Sequence, residues 1–149
     1  MKKIILTIAI VLGISQFAKA QTDVGAGVLV GAYSNLAVEV KANFNVTDDI
    51  SISPSFDYFL VDSTYDITMF MISADGHYNF EVSDGFTAYP LIGLNYFNIS
   101  GNGYSWGSGI GLNIGGGATY SLSDSMKLYA EAKYVRSGFG LSAGLMFSL

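Results

Sequence analysis

Residues 36–46, LAVEVKANFNV, decide the fold because apolar and polar side chains alternate along them without a break. One face consists of Leu36, Val38, Val40, Ala42, Phe44 and Val46, and the other carries Ala37, Glu39, Lys41, Asn43 and Asn45. Successive side chains of a β-strand point to opposite faces of the sheet. The segment therefore predicts a strand with one apolar face and one polar, partly charged face.

The same period-two pattern recurs in eight segments between residue 24 and the end of the chain, and no charged residue occupies their apolar faces. Clusters of turn-forming residues separate the segments at 34–35, 47–49, 62–66, 82–85, 101–107, 123–125 and 137–138. Such spacing is typical of a meander of antiparallel strands. No linker or second domain remains once the eight strands are assigned.

The composition agrees with a protein in contact with lipid. Only 13% of the 149 residues are charged, about half the share in an average soluble domain. No uninterrupted apolar run reaches the roughly 18 residues of a membrane-spanning helix. The 10 Tyr and 10 Phe residues exclude intrinsic disorder. The chain is therefore hydrophobic without containing a hydrophobic helix.

Residues 1–20 are predicted to form a secretory signal peptide. Lys2 and Lys3 precede an apolar stretch, and Ala18 and Ala20 form a small-residue cleavage site. Residues 21–149 would then form the mature barrel domain. The absence of Cys excludes a lipoprotein anchor and disulfides. Four cations against twelve acidic residues after residue 20 argue against nucleic-acid binding.

The polar face is predicted to line the interior of the barrel. It carries ionic side chains of both signs, which are expected to form a lumen ion-pair network: Glu39, Lys41, Asp57, Asp75, His77, Lys127, Glu131 and Lys133. An eight-stranded barrel has an interior just wide enough for side chains, so the many large apolar residues must face lipid. We therefore predict an all-β, eight-stranded antiparallel up-and-down transmembrane β-barrel.

Outward aromatic residues are expected in two bands, as in membrane barrels. If both termini are periplasmic, Phe44, Tyr78, Phe80, Phe86, Tyr120 and Phe147 lie near the periplasmic ends of their strands, and Tyr58, Phe70, Tyr96 and Tyr134 lie near the outer ends. One stretch breaks the alternation. Ile67, Met69 and Met71 occupy the polar face, which predicts either a β-bulge or an apolar plug near one mouth.

Simple hairpin symmetry predicts which residues face one another. Centring the first hairpin on Asn35 sets Gly31 opposite Glu39. Centring the hairpin at Asp124 gives two further pairs, Gly117 with Glu131 and Gly115 with Lys133. Symmetry about Ser83 brings His77 near Tyr89. In each glycine pair, the missing side chain leaves room for a long ionic one.

The signal peptide, the eight strands and the last strand resemble small outer-membrane β-barrels of the OmpX and OmpA-transmembrane type. The resemblance is closest to short outer-membrane barrel or porin-family proteins of Bacteroidota-like Gram-negative bacteria. It implies a C-terminal assembly signal at Ser142, Gly144, Phe147 and Leu149, with Leu149 in place of the usual terminal aromatic residue. It also implies transient contact with the barrel-assembly machinery and residence in the outer membrane, among lipid and lipopolysaccharide.

No constellation of residues predicts an enzyme. His77 is the only histidine, and it is interpreted as part of a lumen hydrogen-bond network. With no Cys, metal binding would depend on carboxylates alone, so neither a metal nor a cofactor is expected. The preferred role is non-enzymatic: envelope integrity, or surface interaction and adhesion by a monomer with a plugged polar lumen. The alternatives are a lipid-A or phospholipid-modifying barrel and a narrow small-solute channel.

The longest outer connection is predicted at residues 98–108, NISGNGYSWGS. Tyr104 and Trp106 in this loop could contact a glycan, lipopolysaccharide or a host surface, or could anchor the barrel at the membrane interface. The other outer connections are only a few residues long. The sequence therefore provides one candidate region for a surface ligand.

Overall fold

The computed structural model describes residues 21–32, 35–61, 64, 66–135 and 138–149. The predicted signal peptide, residues 1–20, lies outside the described residues. Nine β-strands follow one another: β1 (Thr22–Val30), β2 (Leu36–Asn45), β3 (Ile50–Leu60), β4 (Ile67–Tyr78), β5 (Phe80–Ser83), β6 (Phe86–Gly101), β7 (Tyr104–Ser121), β8 (Met126–Val135) and β9 (Gly138–Ser148). No helix in the described part of the chain is long and apolar enough to cross a membrane.

The strands form a closed, all-antiparallel barrel. Each strand except β4 pairs with the next along the chain, β4 pairs with β6, and β1 pairs with β9 to close the cylinder. β4 and β5 are two parts of one barrel strand, because both pair with β6 and only Asn79 separates them. The barrel thus has the eight strands predicted from the sequence.

The two ends of the barrel differ. The first and last described residues lie at one end, where Asp23 of β1 pairs with Ser148 of β9; we call it the terminal end. The β2–β3, β5–β6 and β7–β8 turns lie there too. The opposite end, called the hairpin end, carries the β1–β2, β3–β4, β6–β7 and β8–β9 connections.

The outward face is apolar, as the alternation predicts. Val40, Ile92 and Leu112, for example, are 56%, 62% and 67% exposed on the protein surface. The outward aromatic residues contact one another at both ends. At the terminal end the rings of Tyr78 and Phe80 are 4.8 Å apart. At the hairpin end Phe70 lies between two rings: Phe56, at 5.8 Å, and Tyr96, at 6.5 Å.

The β4 residues that break the alternation belong to an apolar cluster inside the barrel. β4 pairs with β3 and β6 without a register shift, so no bulge is present there. Met69 and Met71 are buried among inward residues at the hairpin end: Leu29, Ala32, Ala37, Phe59 and Val135. Ala32 continues the outward parity of β1, which begins with Val24. It is buried instead, because β1 ends at Val30 and Gly31 turns the chain with φ at 92°.

The register confirms two predicted pairs and corrects another. Gly117 faces Glu131, and Gly115 faces Lys133. The glycine opposite Glu39 is Gly27 and not Gly31, because the β1–β2 turn is centred two residues earlier than predicted. His77 pairs with Leu91, yet its ring stacks on Tyr89 at 4.3 Å, as the predicted proximity requires.

Glycine opposite a charged side chain is a general feature of the interior. Gly25 faces Lys41 and Gly93 faces Asp75, in addition to the three pairs above. A Cβ atom on Gly117 would lie 2.7 Å from Glu131 Cγ and 2.8 Å from Tyr89 Cε2. The missing side chains therefore provide the space in which the charged ones lie.

We expect Gly117→Ala to lower the free energy of unfolding by about 1–3 kcal/mol, because overpacking a filled interior forces side chains from their positions. The matched control is Gly76→Ala, whose Cβ would meet nothing closer than 3.6 Å. It should leave stability unchanged. Urea unfolding in detergent micelles measures both, and equal effects of the two substitutions would contradict this packing argument.

Candidate functional site

A network of buried ion pairs occupies the middle of the lumen. Lys41 Nζ lies 2.6 Å from Glu131 Oε1 and 3.8 Å from Glu39 Oε1. Lys133 Nζ lies 3.1 Å from Asp75 Oδ2, 3.8 Å from Glu131 Oε2 and 4.0 Å from Glu39 Oε2. All five side chains are at least 96% buried. Two lysines thus bridge three carboxylates, and the five residues lie on three strands: β2, β4 and β8.

Neutral side chains add at least one hydrogen bond to each of these carboxylates, whereas Glu39 Oε2 and Glu131 Oε2 have no hydrogen-bond partner among the described residues. Tyr129 donates to Glu39 Oε1 over 2.7 Å, and Tyr89 donates to Glu131 Oε1 over 2.8 Å. Asn113 donates to Asp75 Oδ1 over 2.7 Å and accepts a hydrogen bond from Asn95. Lys41 Nζ also lies 4.6 Å from the centre of the Tyr129 ring. Buried charges are tolerated when they are both paired and hydrogen-bonded, and this network meets both conditions.

Three of the residues assigned to the network from sequence form no ion pair with these five side chains. Lys127 forms its ion pair with Asp23, at 2.8 Å, near the terminal end. His77 stacks on Tyr89, and its Nε2 atom has no hydrogen-bond partner among the described residues. Asp57 lies opposite Glu39 and is fully buried, but neither of its carboxylate oxygens has a hydrogen-bond partner in the part of the chain described.

Sequence reasoning did not assign several residues that the structure adds: Asp23, Tyr89, Asn95, Asn113 and Tyr129. Each lies on the inward parity of its strand, so the alternation could have identified them. The four neutral side chains carry no charge that would distinguish them from other inward residues. Asp23 lies at the start of the first strand, just before the alternating stretch that begins at Val24.

The β6–β7 connection is not a loop. The predicted loop 98–108 is a β-hairpin, closed by the two-residue turn Asn102–Gly103, whose φ angles are 52° and 79°. Asn-Gly is favoured in tight hairpins because both positions need positive φ. The Gly, Ser and Asn residues that suggested a loop are paired across the hairpin up to this turn. We call residues 98–108 the projecting hairpin.

One edge of the projecting hairpin has no strand beside it. β7 pairs with β6 along its whole length, but among the described residues its pairing with β8 begins only at Ile114. β8 ends at Val135, which pairs with Gly138 of β9. Residues 104–113 of β7 therefore present an edge of backbone amides and carbonyls with which no strand in the described part of the chain pairs.

Two aromatic residues are exposed on the projecting hairpin. Tyr104 is 76% exposed and Trp106 is 60% exposed. The register shifts by one residue between Ile99 and Ser100, so β7 has an extra residue at Trp106. A bulge of this kind changes the direction in which the neighbouring side chains point. The indole Nε1 donates to Gly101 O over 3.2 Å, which holds the ring beside the turn.

The residues of the implied assembly signal lie on both faces of β9. Ser142 and Gly144 face inward, where Gly144 is opposite Gly27 and Tyr129. Phe147 and Leu149 are 48% and 82% exposed on the outward side. In the described residues there is no group of three or more His, Cys, Asp or Glu side chains that could hold a metal ion.

A closed barrel with an apolar exterior and an ionic interior defines the class of membrane-embedded β-barrels. The sequence matches the family of the outer membrane protein beta-barrel domain over residues 6–147, and the chain belongs to that family. The protein is accordingly an outer-membrane β-barrel, which confirms the resemblance given above. The narrower resemblance to Bacteroidota proteins has no support from these comparisons. A comparison with curated proteins finds no match.

Solved structures share the fold at low sequence identity. The N-terminal β-barrel domain of Pseudomonas aeruginosa OprF is 20% identical, with a TM-score of 0.68 over 87% of this chain and 97% of that one. Ail, the attachment invasion locus protein of Yersinia pestis, is 14% identical, with a TM-score of 0.63 and coverages of 87% and 97%. A de novo designed transmembrane β-barrel is 17% identical, with a TM-score of 0.69 and coverages of 87% and 95%. These similarities establish the fold alone.

We expect Glu131→Gln to lower the free energy of unfolding by about 3 kcal/mol, because it leaves Lys41 and Lys133 buried with too little negative charge. Asp57→Asn is the matched control, since it also replaces a buried inward carboxylate by an amide. Asp57 has no ion pair to lose and lies opposite the carboxylate of Glu39, so stability should stay the same or rise. Urea midpoints in detergent micelles measure both, and a larger loss for Asp57→Asn would contradict the assigned network.

Proposed function

We propose that this protein is a non-enzymatic, non-conducting barrel that acts at the cell surface through the projecting hairpin. The hairpin end faces outward in this proposal, with both termini in the periplasm. The observation that carries the proposal is the unpaired edge of residues 104–113, which lies beside two exposed aromatic side chains. An unpaired strand edge is a template for pairing with another chain.

The chemistry of the hairpin favours an uncharged partner surface. Residues 98–108 contain no charged side chain. Tyr104 and Trp106 can stack on sugar rings, while the backbone edge can pair with an extended polypeptide. Among the structural neighbours, Ail has been crystallised with the heparin analogue sucrose octasulfate. The hairpin of this chain lacks the cations such a polyanion would require, so we propose a neutral glycan or a protein segment on a host surface.

The interior supports a barrel that does not conduct. The apolar cluster fills the inward face at the hairpin end, and the ion-pair network fills the middle. Eight-stranded barrels have room for side chains, whereas the water-filled porins have about 16–18 strands. A plugged lumen is accordingly our proposal, and the narrow small-solute channel is the alternative.

The positions of the polar groups favour a non-enzymatic role. A lipid-A or phospholipid-modifying barrel needs its reactive groups where lipid can reach them. His77 instead faces inward and is 5% exposed. The outward face between the aromatic bands is apolar, so it offers lipid a contact surface and no catalytic group. A role in envelope integrity is compatible with the same architecture.

Insertion into the membrane completes the proposal. The predicted signal peptide directs the chain to the periplasm, and the assembly machinery reads Ser142, Gly144, Phe147 and Leu149 during insertion. Outer-membrane lipid and lipopolysaccharide then contact the apolar exterior of a monomer.

Replacing residues 98–108 by Asn-Gly should abolish surface binding. The new turn would join the existing Phe97–Gly109 pair, and the replacement also removes the pairing of residues 98–101 with β4. We expect cells that express the wild-type protein to adhere to surfaces coated with neutral glycans or host matrix protein at least about tenfold better than cells with the shortened hairpin. This corresponds to roughly 1.4 kcal/mol. The difference should persist in high salt.

A second variant separates the two features of the hairpin. Tyr104→Ala combined with Trp106→Ala keeps the strand edge and removes the aromatic rings. Loss of adhesion in this variant would assign binding to the rings, and retention would assign it to the edge. Faster migration of unheated samples on gels verifies that each variant is folded. Equal adhesion by wild-type and shortened proteins would refute the proposal.

The two alternatives make separate predictions. We expect planar bilayers containing the protein to show no discrete conductance steps, because side chains fill the lumen. We also expect identical lipid-A profiles in mass spectra from deletion and wild-type strains. Discrete conductance would establish the channel, and a changed acylation pattern would establish the enzyme.

A further inference from the structure

Glycine residues of β7 lie between inward side chains of β6 and β8 that meet across them. Tyr89 of β6 and Glu131 of β8 both face Gly117, and the Tyr89 hydroxyl donates to Glu131 Oε1 over 2.8 Å. Gly115 is likewise flanked by inward residues of the same two strands. We call such a set a row: an inward β6 side chain, a β7 glycine and an inward β8 side chain. The glycine leaves the space in which the outer two members meet.

Two further rows begin on β6 but lack a third member among the described residues. Phe97 faces Gly109 and Ile99 faces Gly107, whereas β8 pairs with β7 only from Ile114 onward. Phe97 and Ile99 pack against the apolar cluster at the hairpin end. A Cβ atom on Gly107 would meet no atom of the described chain within 4 Å. The third place in these rows therefore adjoins apolar side chains, and beside Gly107 it is open.

The hydrogen-bond pattern of the barrel shows which backbone groups of β7 point away from β6. The Ser121 amide donates to Gly85 O on the β6 side over 2.7 Å, and the Leu122 amide donates to Met126 O on the β8 side over 2.8 Å. The side to which a residue bonds alternates along an antiparallel strand, and the register of β6 with β7 is continuous as far as the bulge. Even-numbered residues therefore direct their N–H and C=O groups to the β8 side. Beyond the end of β8 these residues are Ser108, Ile110 and Leu112.

The side chains beside this edge are uncharged and exposed. Residues 104–113 contain no charged residue. Ile110 and Leu112 are 72% and 67% exposed, the largest fractions for any leucine, isoleucine or valine in the described strands. A strand added at this edge would cover part of both side chains and remove apolar surface from water.

We propose that the edge of β7 binds an extended polypeptide segment with large apolar side chains at alternate positions. This inference rests on the proposed surface function and identifies the partner of the projecting hairpin. The segment lies antiparallel to β7, where a longer β8 would lie, and its backbone pairs with Ser108 and Ile110. A neutral glycan fits less well, because it has no side chains at the regular spacing of the rows.

The rows determine which side chains the segment carries. Segment residues opposite Gly107 and Gly109 form non-hydrogen-bonded pairs with them, the pairs in which side chains lie closest. These residues point inward and contact Ile99 and Phe97 across the glycines, as Glu131 contacts Tyr89 across Gly117. The contacts are apolar because Ile99 and Phe97 are apolar. The segment therefore takes the third place in both rows.

Amide hydrogen exchange of the full ¹⁵N-labelled chain in zwitterionic detergent micelles tests the pairing directly. The probe is a capped peptide of alternating leucine and threonine, with one lysine and one glutamate at its ends for solubility. We expect saturating peptide to slow exchange at Ser108 and Ile110 by at least about tenfold, because each amide gains a hydrogen bond. Exchange at Gly109 and Gly111, whose amides bond to β6, should change less than about twofold.

Changes on both sides of the interface test the rows. A peptide with asparagine in place of each leucine should bind at least about tenfold more weakly, since it offers no apolar side chain to Phe97 and Ile99. Gly107→Val should weaken binding of the leucine peptide about tenfold, because its side chain takes the place of the peptide's. Gly138→Val is the matched control at the same end of the barrel. Its Cβ also meets no described atom within 4 Å, and it should change binding less than about twofold.

Ile110→Pro tests the backbone edge itself. Proline removes the amide that points away from β6 and is tolerated at such edge positions. The variant should abolish saturable binding of the leucine peptide. Faster migration of unheated samples on gels verifies that each of the three variants is folded.

The outcomes separate this inference from the proposed surface function. Unchanged exchange at Ser108 and Ile110 refutes strand addition, even if shortening the projecting hairpin abolishes adhesion; adhesion would then depend on the aromatic rings, as for a glycan. Slower exchange with unchanged adhesion of cells with the shortened hairpin would refute the surface function and leave strand addition intact. Equal binding of the leucine and asparagine peptides, or equal weakening by the two valine variants, would refute the apolar specificity.

Discussion

Burial of five charged side chains in a narrow lumen is the constraint on which the rest of the structure depends. Desolvation makes each buried charge costly unless it is paired and hydrogen-bonded. Lys41 and Glu131 form such a pair although they are 90 residues apart in sequence. They meet because the barrel closes, and they fit because Gly25 and Gly117 face them. The glycines therefore provide space in the observed register, because a shift of two residues in one direction would set Thr119 opposite Glu131.

The same network divides the interior into two different ends. On the hairpin side, methionines and other apolar side chains fill the lumen and exclude water. On the terminal side, the network forms the floor of a polar cavity bordered by acidic turns. The exterior is apolar because the lysine and glutamate side chains of the network point inward. A chain with few charged residues can thus be stable in lipid while keeping a fully polar centre.

The fold and the family identify this protein as an outer-membrane barrel, but they do not identify its activity. A designed barrel without a natural role has as high a TM-score as any of the natural barrels compared with this chain. Function must therefore come from features added to the cylinder. The projecting hairpin is one such feature, because strand pairing beyond the barrel wall leaves an edge unpaired. The polar cavity at the terminal end is another.

The sequence alone determined the strand count, the two faces and the inward position of the charged residues. Alternation with a period of two is local, so residues such as Val38 and Glu39 reveal their faces without knowledge of their neighbours. Local turn chemistry was open to misinterpretation. Asn102–Gly103 closes a tight hairpin, yet the surrounding Gly and Ser residues suggested a loop. The same composition occurs in both structures, and only pairing with β6 distinguishes them.

Only the tertiary structure decided which charges meet. Glu131 and Asp57 have the same inward parity, but one lies between two lysines and the other has no hydrogen-bond partner in the described residues. That difference depends on distances across the lumen between strands far apart in sequence. The unpaired edge of β7 has the same origin, because it exists only where β8 ends. Local periodicity shows to which face of the sheet a side chain points. Contacts across a closed barrel depend instead on the register and lengths of all eight strands.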